Sequence, residues 1–213
     1  MIAVITGDII ASRRLEGQDK WLVPFKNLLS MWNYKPTDWY LERGDFFQIE
    51  VAKPEDALIK ALEIKALVKN VMPQDGRKKM SSIDVRMAIG IGEKTYAGKT
   101  IAESNGPAFI YSGEKFDALK KENMKLGVKT AWQGFDEEIN LYLKLAGLFM
   151  DKWSVSSAEL VQVILHKPHI TQEEVGKKLG IKQSGVSRRW NRANVHEILE
   201  INRVFQKKVK NLL

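Results

Sequence analysis

Thr171–Asn194 reads TQEEVGKKLGIKQSGVSRRWNRAN, and its spacing predicts two short helices joined by a tight turn. Val175, Leu179, Ile181 and Val186 are the apolar positions that would pin the pair together. Gly176 falls where the helices would cross closely. Gly180 falls at the turn, where a left-handed backbone is easiest without a Cβ. Thr171 followed three residues later by Glu174 is a capping-box pattern. The second helix, from about Gln183, leaves Ser184, Ser187, Arg188, Arg189 and Arg192 on faces not needed for packing. With Lys182 and Gln183, these side chains can reach base edges and phosphates of double-stranded DNA. The stretch is read as a helix-turn-helix; the alternative is a helical hairpin with a solvated charged face. Trp190 lies one place beyond an expected apolar position and should pack on the helix that follows.

Charge placement agrees with a DNA-binding tail. The 213-residue chain carries a formal net charge of +8. Residues 154–213 hold 11 Lys and Arg against 5 Asp and Glu, while residues 1–153 hold 23 against 21. A basic tail on a nearly neutral body suits an anionic partner. The tail lacks a Trp/Phe/Leu face opposite a Lys face, which speaks against a membrane surface. There is no cysteine, which excludes disulfides, thiolate metal sites and a Cys nucleophile. MIAVITGDII has no basic leader and only a short, interrupted apolar run, so it does not read as a signal peptide. No apolar stretch approaches the ~18 residues needed to cross a bilayer. A cytoplasmic location is expected.

The body alternates strands and helices. Ile2 to Thr6 reads as a buried strand, Gln18 to Trp32 as a helix, and Trp39 to Arg43 and Phe46 to Val51 as strands around a Gly44-Asp45 hairpin tip. Glu55 to Val71 reads as an amphipathic helix with Leu58, Leu62 and Leu67 inward, ended by Pro73 and Gly76. Val85 to Ile91 is a strand, Pro107 to Leu119 a helix and Leu126 to Ala131 a last strand. The expected class is α/β (α+β), with a mostly antiparallel sheet whose element order includes a ferredoxin-like core. Phe135 to Trp153 is a connecting helix. An all-α tail follows, its first helix capped by Ser156 or Ser157 and its last running from Val195 to Leu212. This divides the chain into residues 1–132, 133–153 and 154–213, and the lack of a Pro/Ser-rich linker predicts firm contact between the parts.

Two acids stand out. Asp8 ends the first strand and Asp45 sits at the hairpin tip, so both can converge on one side of the sheet. Paired carboxylates suit Mg²⁺ or Mn²⁺. Each has a structural alternative: Asp8 as an Asx turn, Asp45 as a turn residue tolerant of positive φ. Arg13 could hold a phosphate-bearing ligand or be a solvated charge. Gln48 could line a pocket or face solvent. Asn105 could close that pocket, although capping the next helix is the simpler role. The three His are scattered, and none has an acidic partner at metal-ligand spacing.

Asp8-Ile9-Ile10-Ala11-Ser12, Gly44-Asp45-Phe46-Phe47, Arg86 to Gly92 and Asn105-Gly106-Pro107-Ala108 together resemble segments of class III nucleotidyl cyclases, over roughly residues 1–130. That resemblance implies a metal-binding half-site at Asp8 and Asp45. The family's Asn and Arg, which stabilise charge in phosphoryl transfer, fall here on Ile110 and Glu114, which cannot replace them. The whole chain more closely resembles the SatD family of small bacterial proteins, through Gly7–Arg13, Gly44–Gln48, Ala88–Gly92, Ser104–Ala108 and Thr171–Asn194. This implies a transcriptional regulator; a homodimer is expected because helix-turn-helix regulators read paired half-sites, and the acidic pair beside a basic tail points to a nucleotide-like small molecule as ligand. The competing class is a divergent cyclase or phosphohydrolase with a DNA-binding head. A third is a dimerisation platform with structural acids.

Overall fold

β1, Ile2–Ile10, is a nine-residue strand whose alternation divides the molecule into its two faces. The computed structural model describes residues 1–42, 45–73 and 80–213; Arg43, Gly44 and Gly76 of the expected hairpin and helix stop lie outside them. Ala3, Ile5 and Ile9 are buried on one side of β1, against α1 (Asp19–Met31) and α2 (Ala57–Lys69). Val4, Thr6 and Asp8 point to the other side, which α3 (Pro107–Lys121) covers.

The sheet has five strands in the order β2-β3-β1-β4-β5, with β2 Trp39–Glu42, β3 Phe46–Val51, β4 Asp84–Gly92 and β5 Leu126–Lys129. β1 pairs antiparallel with both β3 and β4, while β5 pairs parallel with β4. The expected mixed α/β class with a mostly antiparallel sheet is therefore observed. β1 continues to Ile10, so Asp8 lies within the strand, not beyond it: it sits opposite Phe46 on one side and Arg86 on the other.

Glycines set the approach of α3 to the sheet. A Cβ on Gly90 would overlap the Ala108 carbonyl oxygen and the Ser112 nitrogen. The helix thus rests directly on the backbone of β4. At the far edge, α4 (Gln133–Met150) covers β5, and Asn140 caps its backbone. Asn140 Oδ1 accepts from the Val128 N–H at 2.8 Å and its Nδ2 donates to the Val128 carbonyl at 2.8 Å. The amide acts as one more strand residue and satisfies an edge that would otherwise be open.

α2 departs from the amphipathic expectation. It is buried almost throughout, including Glu63, Lys65 and Lys69. The reason is α5 (Val155–His166), which packs on the face that a two-layer body would leave in water. α5 is capped by Ser154, whose side chain accepts from the Ser157 N–H, and not by Ser156 or Ser157 as the sequence suggested. α6 (Gln172–Leu179), α7 (Gln183–Ala193) and α8 (Val195–Leu212) complete the chain. The tail joins the same apolar core as the body, with Phe205 of α8 5.9 Å from Phe135 of α4, centroid to centroid. Lys208–Glu138 and Gln206–Asp56 contacts reinforce that seam. The expected firm contact between body and tail is present. Among the described residues, no helix is long and apolar enough to cross a membrane.

Gly90→Ala forces α3 off β4, because both atoms it would strike are backbone. Chemical denaturation should show a loss at the upper end of the ~1–3 kcal/mol typical of overpacking. Gly113→Ala on the same helix, where nothing lies within 4 Å, should show no loss.

Candidate nucleic-acid interface and the acidic end of the sheet

The tail turn forms where the glycines predict it. Gly180 takes φ 63°, ψ 33°, and the Ile181 N–H returns to the Gly176 carbonyl at 3.0 Å. A Cβ at Gly176 would meet the Ile181 carbonyl oxygen at 2.8 Å, so the close approach needs glycine. Thr171 and Glu174 close a reciprocal capping box at the start of α6. Val175 and Val186 are fully buried between α6 and α7. α7 ends at Asn194, itself left-handed at φ 55°.

This packing sorts the basic residues. Lys182, Gln183, Ser184, Arg188 and Arg192 are exposed and Ser187 is half-buried. Lys182, Ser184, Arg188, Arg189 and Arg192 line a shallow groove of about 450 Å³. Arg189 is different. Its Nη1 donates to Glu159 of α5 at 3.0 Å, and the pair is mostly sheltered. That pairing ties α7 to α5 while the side chain still borders the groove. Trp190 packs edge-on to His196 of α8 at 5.5 Å, the packing expected of it.

The body brings some of its candidates together and separates others. Asp8 and Asp45 reach the same end of the sheet, where the Ile9 N–H donates to the Asp45 carbonyl at 3.0 Å. Asp8 receives a bidentate pair from Arg86, with Nε to Oδ1 at 3.1 Å and Nη2 to Oδ2 at 2.8 Å. That guanidinium also lies 5.0 Å from the Phe116 ring of α3. Asp45 Oδ2 accepts from the Ser12 hydroxyl at 3.1 Å. A divalent ion shared by Asp8 and Asp45 would therefore have to displace Arg86. Arg13 stands exposed in the turn that follows β1. Gln48 Nε2 donates to Thr6 Oγ1 at 3.2 Å, which meets Ser112 Oγ at 2.9 Å beneath α3.

Asn105 does not belong to this group. It bridges Tyr96 and accepts from the Gly106 N–H at 2.7 Å, at the Gly92 end of β4. Asp8 is opposite Arg86, six residues back along β4. At ~3.3 Å per residue the two lie about 20 Å apart along the sheet. α3 runs antiparallel to β4, so its start and the acidic pair occupy opposite ends. Of the two positions replacing the cyclase Asn and Arg, Ile110 is exposed and Glu114 pairs with Lys129 at 2.7 Å.

A buried charge network lies outside what sequence reasoning finds. Lys65 Nζ, with its side chain 1% exposed, donates to Asp84 at 2.9 Å and Asp151 at 2.5 Å. Lys125 bridges the same two acids at 2.9 and 3.1 Å, and Lys69 reaches the Asp151 carbonyl at 3.0 Å. Burial pushes the Asp84 carboxyl up, but Lys65 and Lys69, with hydrogen bonds from Lys65 and Lys125, outweigh it and hold the group below the usual carboxylate range. Burial pushes the Lys69 ammonium down, only partly offset by Asp84. The signal is present in ALIKALEIKALVK, which has apolar residues on every side and so leaves its lysines no open face.

No protein-family model matches the chain, and no curated protein matches it either.

Because the folded-state pKa of Asp84 is depressed, its contribution is present above the unfolded value of ~3.9 and is lost as pH falls through the folded one. Asp84→Asn leaves Lys65 short of a buried counter-charge and should cost about 3 kcal/mol or more at neutral pH by urea denaturation. The gap to wild type should narrow as the pH drops below about 4. A gap independent of pH would show that the loss is not ionic.

Proposed function

We propose that the chain is a cytoplasmic DNA-binding transcriptional regulator of the SatD kind. The observation that carries this reading is the exposed basic face of α7, presented by a glycine-built turn from α6. In it α6 and α7 form a helix-turn-helix, and α7 enters the major groove with Gln183, Ser184, Ser187 and Arg188 toward base edges. Lys182 and Arg192 take phosphates. Arg189 serves by fixing the angle of α7.

The strand order supports reading the body as a ferredoxin-like, nucleotidyl-cyclase-like sheet with one added parallel strand. That body senses a phosphate-bearing ligand. A Mg²⁺ or Mn²⁺ ion on Asp8 and Asp45 belongs to the proposal only in a state where Arg86 has let go of Asp8. The regulator acts as a homodimer, as paired half-sites require. Coupling between ligand and DNA in such proteins is worth ~1–3 kcal/mol.

Selection of genomic DNA fragments by the full-length protein at ~150 mM salt should enrich a palindrome. On that site, Lys182→Ala with Arg192→Ala should weaken specific and non-specific binding alike. It should also flatten the salt dependence by about 0.9 in log-log slope for each phosphate no longer neutralised. Gln183→Ala should relax preference at one base position by ~1–3 kcal/mol. Arg189→Ala should lower the melting temperature. Wild-type affinity and salt slope in the Lys182/Arg192 variant would overturn the groove assignment.

A further inference from the structure

A cleft of about 550 Å³ opens where the end of α3, the start of β5 and the C-terminal half of α4 meet. Its charge is one-sided. Lys120, Lys144 and Lys152 project at its rim from α3, α4 and the turn after α4, and have no carboxylate partner among the described residues. Its floor holds Arg86, Lys65 and Lys125. The floor cations are already paired, Arg86 with Asp8 and Lys65 and Lys125 with Asp84 and Asp151, and Glu122 is engaged by Lys115 at 2.6 Å, so the cations without a carboxylate among the described residues are those of the rim. Among the described residues, the network beneath the cleft sets three lysines, Lys65, Lys69 and Lys125, around two aspartates, Asp84 and Asp151. A partly buried surplus of positive charge is costly unless an anion compensates it. The remaining walls are apolar, from Leu119, Met124, Leu143 and Leu148.

We infer that this cleft binds a small organic phosphate, with several anionic oxygens against the lysines and an apolar portion against the leucines. A recess with lysines on three sides suits a compact polyanion better than a lone carboxylate, because Lys acts as a point charge on a flexible stem and several can converge on one group. The inference deepens the sensing half of the proposed function and does not depend on the tail's binding DNA.

The cleft also has a route to the tail. Asp151 holds Lys125 at 3.1 Å, and an anion taking Lys125 competes with it. Asp151 lies two residues before Trp153, which is 1% exposed and whose Nε1 donates to the Ala193 carbonyl at the end of α7 at 3.0 Å. Loosening Asp151 acts on the segment that anchors the DNA-facing helix.

The test uses full-length protein with pyrophosphate and ATP as probes, read by calorimetric titration and melting temperature without DNA. Saturable binding of at least one probe is expected. Lys120→Glu with Lys144→Glu, both exposed, should weaken it by roughly tenfold or more. Lys26→Glu with Lys53→Glu, which changes net charge equally at remote exposed sites, should leave it unchanged. No saturable binding, or equal weakening in both variants, would overturn the site. A double-stranded oligonucleotide that displaces the probe from wild type, with DNA affinity abolished in Lys120→Glu/Lys144→Glu, would also overturn it by assigning the cleft to a nucleic-acid footprint. Loss of probe binding with DNA affinity retained would support the site, while failure of DNA binding with probe binding intact would count against the tail reading alone.

Discussion

The ammonium group of Lys65 is the point through which α2, β4 and α4 are held in one register. It is buried and reaches Asp84 at the start of β4 and Asp151 at the end of α4. A buried ion pair seldom adds net stability over apolar packing of the same volume, but breaking one partner is expensive. Such a group therefore specifies more than it stabilises: helices that slid past one another would strand a charge away from water. Lys125 and Lys69 complete the same network, so the first strand-helix layer, the edge strand and the connecting helix are positioned by one cluster.

From that cluster the rest of the arrangement follows. Because α4 is fixed at its C-terminal end, Trp153 is fixed, and with it the end of α7. Because α5 lies on α2, the basic tail is seated on the body, and Arg189 pairs with Glu159 at the edge of the α7 groove. The tail is thus a continuation of the core, which makes mechanical communication between body and tail a matter of a few packed residues and not of a flexible tether. The same packing leaves cationic side chains on the outer face of α7 and around the cleft beside α4.

The acidic end of the sheet shows how a pattern can be right in place and incomplete in chemistry. Asp8 and Asp45 do reach the same end of the sheet, where the Ile9 N–H meets the Asp45 carbonyl just before β3. Arg86 stands opposite Asp8 on the other neighbouring strand, and cross-strand pairing makes its guanidinium the nearest counter-charge. Nothing in the linear spacing of residues 8, 45 and 86 announces that pairing. Asn105 shows the converse: near in the reading of motifs, it is separated by the length of β4, because α3 enters from the opposite end.

Local order is legible in the residues themselves. The Gly176 and Gly180 turn, the Thr171–Glu174 capping box, the alternation of Val85 to Ile91 and the helix entry at Pro107 are all governed by interactions within a few residues, so the sequence determines them directly. Long-range partnership is not. The burial of Lys65 and Lys69, the pairing of Arg86 with Asp8, the turn of Arg189 toward Glu159 and the Asn140 amide that closes β5 depend on which elements pack together. The physical reason is that a charged or amide side chain has no partner until a second segment, often tens of residues away, supplies one, and only the tertiary structure decides which segment that is.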